Sequence, residues 1–386
     1  MNANINIPDG WSVKKLGDCC SMSSGGTPSK SNSDFWNGDI PWISASAMRG
    51  IYFSSSEEKI TELGLQKGSR SVNKGDLLLL VRGSMLWNYI PIGIATRKLA
   101  FNQDVKGISV KNNITNQFLL YWFKTNEHLI KNMVVGTGIG AGKLDTQELN
   151  NIKILLPPLA EQEKIAEILS CWDEGIEKLS VLIDAKKKCK KALMQQLLTG
   201  KHRLSGFTDK WKTINLGDIC KITTGKLDAN AMVENGKYVF FTCARETFLI
   251  DTFAFDEEAL LISGNGANVG YIHYYNGKFN AYQRTYVLTN FTQNIFFIQD
   301  LLDQFLSIRI DKEKKAGNTP YIVLDTLAKM HLFVPSSLSE QQAIADILSK
   351  ADEEIDLLNK KLALFKEQKK ALMQQLLTGK IRVKVN

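Results

Sequence analysis

Two stretches of the chain carry apolar residues at alternating steps of four and three. In the later one Ile344, Leu348, Ala351, Ile355, Leu358, Leu362, Phe365, Leu372 and Leu376 follow this series, with Lys369 interrupting it. Such spacing draws an apolar seam down one face of a helix, and the seam needs a partner helix. The earlier stretch keeps the seam through Ile165, Leu169, Trp172, Ile176, Leu179 and Ile183, meets Lys186 and Lys190, and resumes at Leu193 and Leu197. Ala185 and Cys189 are the expected substitutes at the interruption, with looser packing there. Proline precedes each stretch, at Pro157 and Pro158 and at Pro335, and Thr-Gly follows, at Thr199-Gly200 and Thr378-Gly379. That is the usual punctuation of a helix start and stop. Roughly 40 residues at about 1.5 Å each make a rod of about 60 Å. Two rods of equal length pack most simply against each other, antiparallel, and hold the remaining parts of the chain apart.

Elsewhere the pattern is shorter in range. Apolar runs at 77–81, 108–110, 238–241 and 260–262 predict strands, and the segments 118–134 and 294–311 each predict a single helix. Gly, Ser and Asn collect between them, as in SSGGTPSKSNS from Ser23, VVGTGIGAGK from Val134 and SGNGANVG from Ser263, which marks connecting loops. The fold class is therefore α+β, with mixed globular regions between long helices.

The helical stretches are copies of one another. EQEKIAEILS from Glu161 returns as EQQAIADILS from Glu340, and KALMQQLLTGK from Lys191 returns unchanged at Lys370, so the two blocks share one offset with nothing gained or lost between them. A weaker repeat lies upstream, where Trp11, Leu16, Gly17, Asp18, Cys20 and Gly25 match Trp211, Leu216, Gly217, Asp218, Cys220 and Gly225 at a larger common offset. Between these the halves share only echoes, such as Gln103 against Gln283, and the first is the longer. The sequence thus divides into a variable globular region at 1–156, a constant helix at 157–200, a second variable region at 201–334 and a second constant helix at 335–380. Duplicated sequence implies duplicated, pseudo-two-fold structure.

Length and charge sharpen this picture. A chain of 386 residues exceeds one ordinary core and fits two domains plus extra helix. The net charge of +8 and pI near 9.0 tilt toward a polyanionic partner. No run of about 18 apolar residues is present, and MNANINIPDGW lacks a basic start and an apolar signal core, so a cytoplasmic protein that does not cross a membrane is expected. Six cysteines show no CxxC pair, so zinc ligation is not expected and the thiols read as free.

Several chemistries find no support. GTGIGAGK, from Gly136 to Lys143, lacks the first glycine of a phosphate loop and has Leu144 where a magnesium-binding hydroxyl is needed; it reads as a flexible or DNA-facing loop. The Pro157-Pro158 pair lies between leucines and not in a base-flipping methyltransferase motif. Glu57-x-Lys59 and Glu313-x-Lys315 have no Pro-Asp before them and read as surface charge rather than a nuclease site. The four histidines are scattered, away from any nucleophile motif. No catalytic residue and no metal site are assigned.

PPLAEQEKIAEILS with KKALMQQLLTGK, and PSSLSEQQAIADILS with the second KKALMQQLLTGK, each behind a divergent region, closely resemble the specificity subunit of type I restriction-modification systems. The resemblance implies two target-recognition domains, each reading half of a bipartite, asymmetric site in double-stranded DNA. It also implies an antiparallel coiled coil that fixes the number of unread bases between the halves. The implied partners are two modification subunits, which carry S-adenosylmethionine and methylate adenine, and restriction subunits, which use ATP and Mg to translocate and cut. The chain itself is then non-catalytic and needs no cofactor. Half-sites about one helical turn, roughly 34 Å, apart suit two non-identical readers on such a frame.

Within that resemblance, DNA contacts come from loops of the variable regions. The candidates are Lys30, Arg49, Arg70, Arg82 and Lys143 in the first and Lys226, Arg245 and Arg284 in the second, because arginine pairs bidentately with guanine edges and lysine meets phosphate. Trp36, Trp42 and Trp87 could stack or wedge at DNA, with core packing the preferred reading for each. The basic ends of the helices, 186–191 and 366–370, either complement the helix dipole while solvated or lie beside phosphates, and the first reading is preferred. The competing reading of the whole chain is a non-DNA coiled-coil scaffold with two ligand-binding domains.

Overall fold

The structure, a computed structural model, describes residues 7–138, 140–313 and 321–385; Lys315 of the excluded nuclease pattern lies outside them. Contacts gather the chain into two units, residues 1–179 with 361–386, and residues 180–360. Each globular region therefore takes with it half of each long helix.

Four helices matter most: α1 (Asn116–Thr125), α2 (Leu159–Leu197), α3 (Ile295–Glu313) and α4 (Leu338–Leu376). The two long helices have equal lengths, 39 residues each, as the exact repeat requires. They end where predicted. Gly200 and Gly379 adopt φ of +68° and +69°, the left-handed conformation that closes a helix and that glycine enters without a Cβ penalty.

In the first unit a five-stranded sheet runs in the order Cys20–Ser24, Val105–Val110, Leu77–Leu80, Ile92–Ala95, Tyr52–Phe53. All four residues of Leu77–Leu80 are buried, as a central strand covered on both faces demands. A four-stranded sheet, in the order Lys59–Ile60, Trp36–Ile43, Leu99–Phe101, Arg70–Val72, lies beside it in the chain path. The second unit has one six-stranded sheet, ordered Lys221–Thr224, Thr285–Thr289, Phe255–Ser263, Ile272–Ala281, Tyr238–Phe241, Phe248–Ile250. Its strand Ile272–Ala281 is strongly bent. The rings of His273, Tyr275 and Phe279 all lie 5.2 to 5.7 Å from the ring of Phe241, whereas six residues of straight strand span about 20 Å. Gly277, at φ +129°, sits between Tyr275 and Phe279, where the bend is needed. The first unit's extra length falls between Gly25 and Gln103, an interval longer than that from Gly225 to Gln283; Lys59–Ile60, the short helix Glu62–Gly68 and Arg70–Val72 occupy that stretch.

The constant parts are locked to the sheets in the same way twice. A two-stranded ribbon pairs Ser12–Lys15 with Lys153–Leu156 in one unit, and Trp211–Asn215 with His331–Pro335 in the other. Beside each ribbon a buried glutamate at the start of a long helix accepts from a tryptophan: Trp11 Nε1 to Glu161 at 3.0 Å and Trp211 Nε1 to Glu340 at 3.3 Å. The next residue, Gln162 or Gln341, is fully buried. Its amide accepts from the Thr115 or Asn294 backbone at 2.9 Å, which are the capping residues of α1 and α3.

The seam residues of both stretches are buried or half-buried along their length, and the pairing runs antiparallel within each unit. In the first, Trp172 packs edge-on against Phe365 at 5.5 Å and Asp173 pairs with Lys369. In the second, Lys186 pairs with Glu354 at 2.7 Å and Lys190 with Asp352 at 2.5 Å. This corrects the expectation for the interruption: Ala185 and Cys189 are exposed, and the half-buried lysines themselves occupy the seam, their ammonium groups paired with the other helix. Lys186, Lys190 and Lys369 of these basic stretches are paired with carboxylates of the other helix, a role outside both readings drawn from the sequence. A second correction concerns 118–134. Asn126, at φ −95° and ψ 16°, stops α1 after Thr125; its side chain donates to Trp122 O at 2.9 Å, and a separate helix, Glu127–Lys131, follows. Such local side-chain bonding by asparagine competes with helix continuation.

Candidate nucleic-acid interface

Both units bring the same set of loops to one end of their sheets. In the first, Phe101 pairs in parallel with Ile43, and the Asn102 N–H donates to Ile43 O at 3.0 Å. In the second, Ala281 pairs in parallel with Phe241, and the Tyr282 N–H donates to Phe241 O at 2.8 Å. Over this strand end crosses a loop beginning at Gly25 or Gly225. A Cβ at these glycines would lie 2.1 Å from Phe101 O and 1.9 Å from Ala281 O, so no other residue permits the crossing. Gln103 and Gln283, both exposed, stand one residue beyond. Gln103 accepts from Thr27 Oγ1 at 2.7 Å, and Gln283 donates to Asp228 at 2.8 Å. The repeat of these glutamines in the sequence is the signal that marks the place.

Three of the five candidates in the first unit, Arg70, Arg82 and Lys143, lie on segments tied to that strand end, and Arg49 stands on the loop that leaves it. Arg70 lies opposite Phe101 in the ladder. Arg49 ends the loop that leaves Ile43, and Gly83 approaches Ala45 in that loop, a Cβ on it falling 3.9 Å from Ala45 Cβ. Arg82 sits next to Val81, whose N–H donates to Asp104 O at 2.8 Å, and directly opposite Lys143 in a three-stranded ladder of Val135–Gly136, Gly142–Lys143 and Arg82–Gly83. Arg49, Arg70, Arg82 and Lys143 are all exposed. Lys30 is engaged differently: its ammonium pairs with Glu58 at 3.0 Å and lies 5.4 Å from the Trp36 ring centre.

The second unit gathers all three of its candidates. Cys243 Sγ donates to Arg284 O at 3.4 Å, Asn268 Nδ2 donates to Cys243 O at 3.0 Å, and the Gln283 N–H donates to Leu227 O at 2.8 Å. These bonds tie together the loops that carry Lys226, Arg245 and Arg284. The Arg245 guanidinium carbon lies over the Tyr271 ring, 5.4 Å from its centre, a cation on an aromatic face. Asn268 and Tyr271 join the cluster unannounced; their stretch, SGNGANVGY, shows only loop character in the sequence.

Among the three tryptophans assigned to core packing, Trp42 is buried, with Nε1 donating to Gly26 O at 3.0 Å, and Trp36 is half-buried, donating to Ser29 O at 3.0 Å. Trp87 is not in the core. It is 46% exposed, because its Nε1 donates to Gly140 O at 3.0 Å and holds the ring on the hairpin that carries Lys143. Among the described residues no group of three or more His, Cys, Asp or Glu side chains is placed to hold a metal ion, and no helix is long and apolar enough to cross a membrane.

The family model for the type I restriction modification DNA specificity domain matches the chain twice, at residues 8–184 and 208–366. The MjaVIII type I restriction enzyme specificity subunit of Methanocaldococcus jannaschii is 28% identical, over 98% of this chain and 95% of that protein. The EcoDI specificity subunit of Escherichia coli is 38% identical over 44% of this chain and 37% of that one. In solved structures, the S subunit of a type I restriction-modification system from M. genitalium shares the fold, with TM-score 0.65 and 18% identity over 98% of each chain.

Proposed function

The chain belongs to the family of type I restriction-modification DNA specificity domains, and from that premise we propose that its two units read the two halves of a split, asymmetric DNA site. The chain serves as the sequence-recognition subunit of a complex whose chemistry resides in other subunits. Two modification subunits supply S-adenosylmethionine-dependent adenine methylation, and restriction subunits use ATP and Mg to translocate and cut.

One observation carries this reading: the same loops gather at the same strand end in both units, but with different cations and polar groups on them. Arg49, Arg70, Arg82 and Lys143 face outward in one, and Lys226, Arg245 and Arg284 in the other. A common scaffold with different side chains reads different bases, since base edges are told apart by the donors and acceptors presented to them. Two identical readers would select a palindrome, whereas these select unlike halves. The spacing role falls to α2 and α4, the two elements that both units share.

Methylome mapping tests the proposal. With the partner subunits present, the chain's gene is expected to confer adenine methylation on one split motif, and its deletion to abolish it. Absence of any gene-dependent split motif overturns the reading.

A further inference from the structure

The hairpin that bears Lys143 is built for contact with something other than the rest of the fold. Trp87 is the one tryptophan of the seven that is exposed, the other six being buried or half-buried. Its N–H is already satisfied by Gly140 O, so what it offers a ligand is an apolar, π-electron face and no hydrogen bond. On the same short ladder Arg82 and Lys143 lie directly opposite each other. Like charges in that relation repel and weaken a ladder, and neither forms an ion pair with any described residue. An external polyanion removes that repulsion. Gly138, at the tip, has neither a left-handed φ nor any atom within 4 Å of where its Cβ would be, so the fold does not require glycine there. A bare backbone at that point suits close approach of a ligand.

We propose that Trp87 stacks on a base of the half-site read by the first unit, with Arg82 and Lys143 on phosphates at either side. The inference rests on the DNA-reading role proposed above and adds a contact that is insensitive to the identity of the base, because every base has a π-face; in a duplex that face is reached only where a base step is unstacked, so the contact implies a local opening or kink within the half-site. An unpaired cation pair beside a flat aromatic ring is the chemistry of a nucleic-acid platform; an apolar protein partner would leave both charges uncompensated. At the matching ladder position of the second unit, where Asn265 bridges Tyr321, a phenol ring stands 60% exposed.

The test uses the full chain assembled with its modification subunits and a duplex carrying the split motif. Trp87→Ala is expected to weaken binding roughly 5- to 150-fold, the equivalent of about 1–3 kcal/mol per stacked base, while the slope of log affinity against log salt stays as in the unaltered complex. Trp87→Phe, which has a ring but cannot donate to Gly140 O, is expected to restore most of the affinity. Acrylamide quenching of tryptophan fluorescence should fall when DNA is added, and this protection should vanish in Trp87→Phe. Wild-type affinity in Trp87→Ala, or tryptophan quenching that DNA leaves unchanged in the unaltered complex, overturns the stacking role and leaves the DNA-reading role standing. An unaltered complex with no salt-dependent affinity for any duplex overturns both.

Discussion

Arg382 grips Glu161 with two hydrogen bonds, Nε to Oε1 at 2.7 Å and Nη2 to Oε2 at 2.8 Å. The same clasp recurs between Arg203 and Glu340 at 2.6 and 2.7 Å, and each guanidinium lies 5.8 Å from the ring centre of the tryptophan that shares the glutamate. The arginine comes from beyond the end of one long helix and the glutamate from the start of the other, so each clasp ties the C-terminal end of one helix to the N-terminal start of its partner. Arg382→Ala leaves a buried carboxylate with one neutral donor. The variant is expected to unfold at lower denaturant than the unaltered protein, by less than a fully buried pair would cost, because Arg382 itself is exposed while Glu161 is buried. Glu161→Gln in the same background should recover part of the loss. Urea denaturation of Arg382→Ala, Glu161→Gln and the double variant checks both statements, and additive losses would contradict the pairing.

Gln162 and Gln341 offer a sharper lesion. Each accepts from the N–H of the residue that caps a shorter helix and donates to the proline carbonyl that precedes its own long helix. Gln162→Ala strips the Thr115 N–H and the Pro157 carbonyl of their partner inside the core. A loss of about 2–4 kcal/mol follows from leaving such groups unpaired. Gln162→Glu, of the same shape, should be no better, since it buries a charge. Thermal melts read the difference; a neutral Gln162→Ala would sink the argument.

The pH dependence of the second unit has an identifiable source. Asp300, in α3, is 8% exposed, and burial pushes its carboxyl from 3.8 up to about 7, with Lys190 opposing and Asp303 and Asp352 adding to the rise. The folded chain therefore holds a proton that the unfolded chain has released between about pH 4 and 7, and this group's contribution to stability falls as pH rises through that window. Asp300→Asn should be more stable than the unaltered protein above pH 7, with the advantage shrinking to nothing near pH 4. Melting temperatures of the pair across that range decide it. At the position of the first unit that the helix repeat places opposite Asp300, Tyr121 instead donates to Asp173 at 2.8 Å, and burial raises its phenol further.

The frame of this molecule is legible because periodicity and exact repetition are local properties of a sequence. Ile165 to Ile183 and Ile344 to Phe365 announce their partner through spacing alone. Lys186 and Lys190 are not legible, since a lysine in a seam reads as an interruption until Glu354 and Asp352 are seen opposite. Arg203 and Arg382 match at the same offset as the helix repeat, two positions past its end, but one matching residue in a divergent tail carries little weight until the glutamates are seen beside them. For the loops, residue type suggests cations but not company: Lys30 and Arg49 look alike in sequence, and only the fold gives Lys30 to Glu58. Trp87 misleads for the opposite reason, because size and hydrophobicity argue for the core while a single bond to Gly140 holds the ring outside it.

The separation of the two readers has a direct consequence. Arg245 and Arg284 belong to loops tied together in the second unit, and the first unit's loops are built without them. Arg245→Ala and Arg284→Ala, assembled with the modification subunits, should each weaken binding by about 1–3 kcal/mol if the guanidinium pairs with a base edge. The methylated motif should then become degenerate in one half only. A guanidinium that meets phosphate behaves differently: the affinity falls evenly for all sequences, and the salt slope drops by about 0.9 for each phosphate no longer neutralised. Methylome mapping of each variant, joined to a salt titration, separates the two outcomes. Degeneracy appearing in both halves from either substitution would contradict independent reading by the two units.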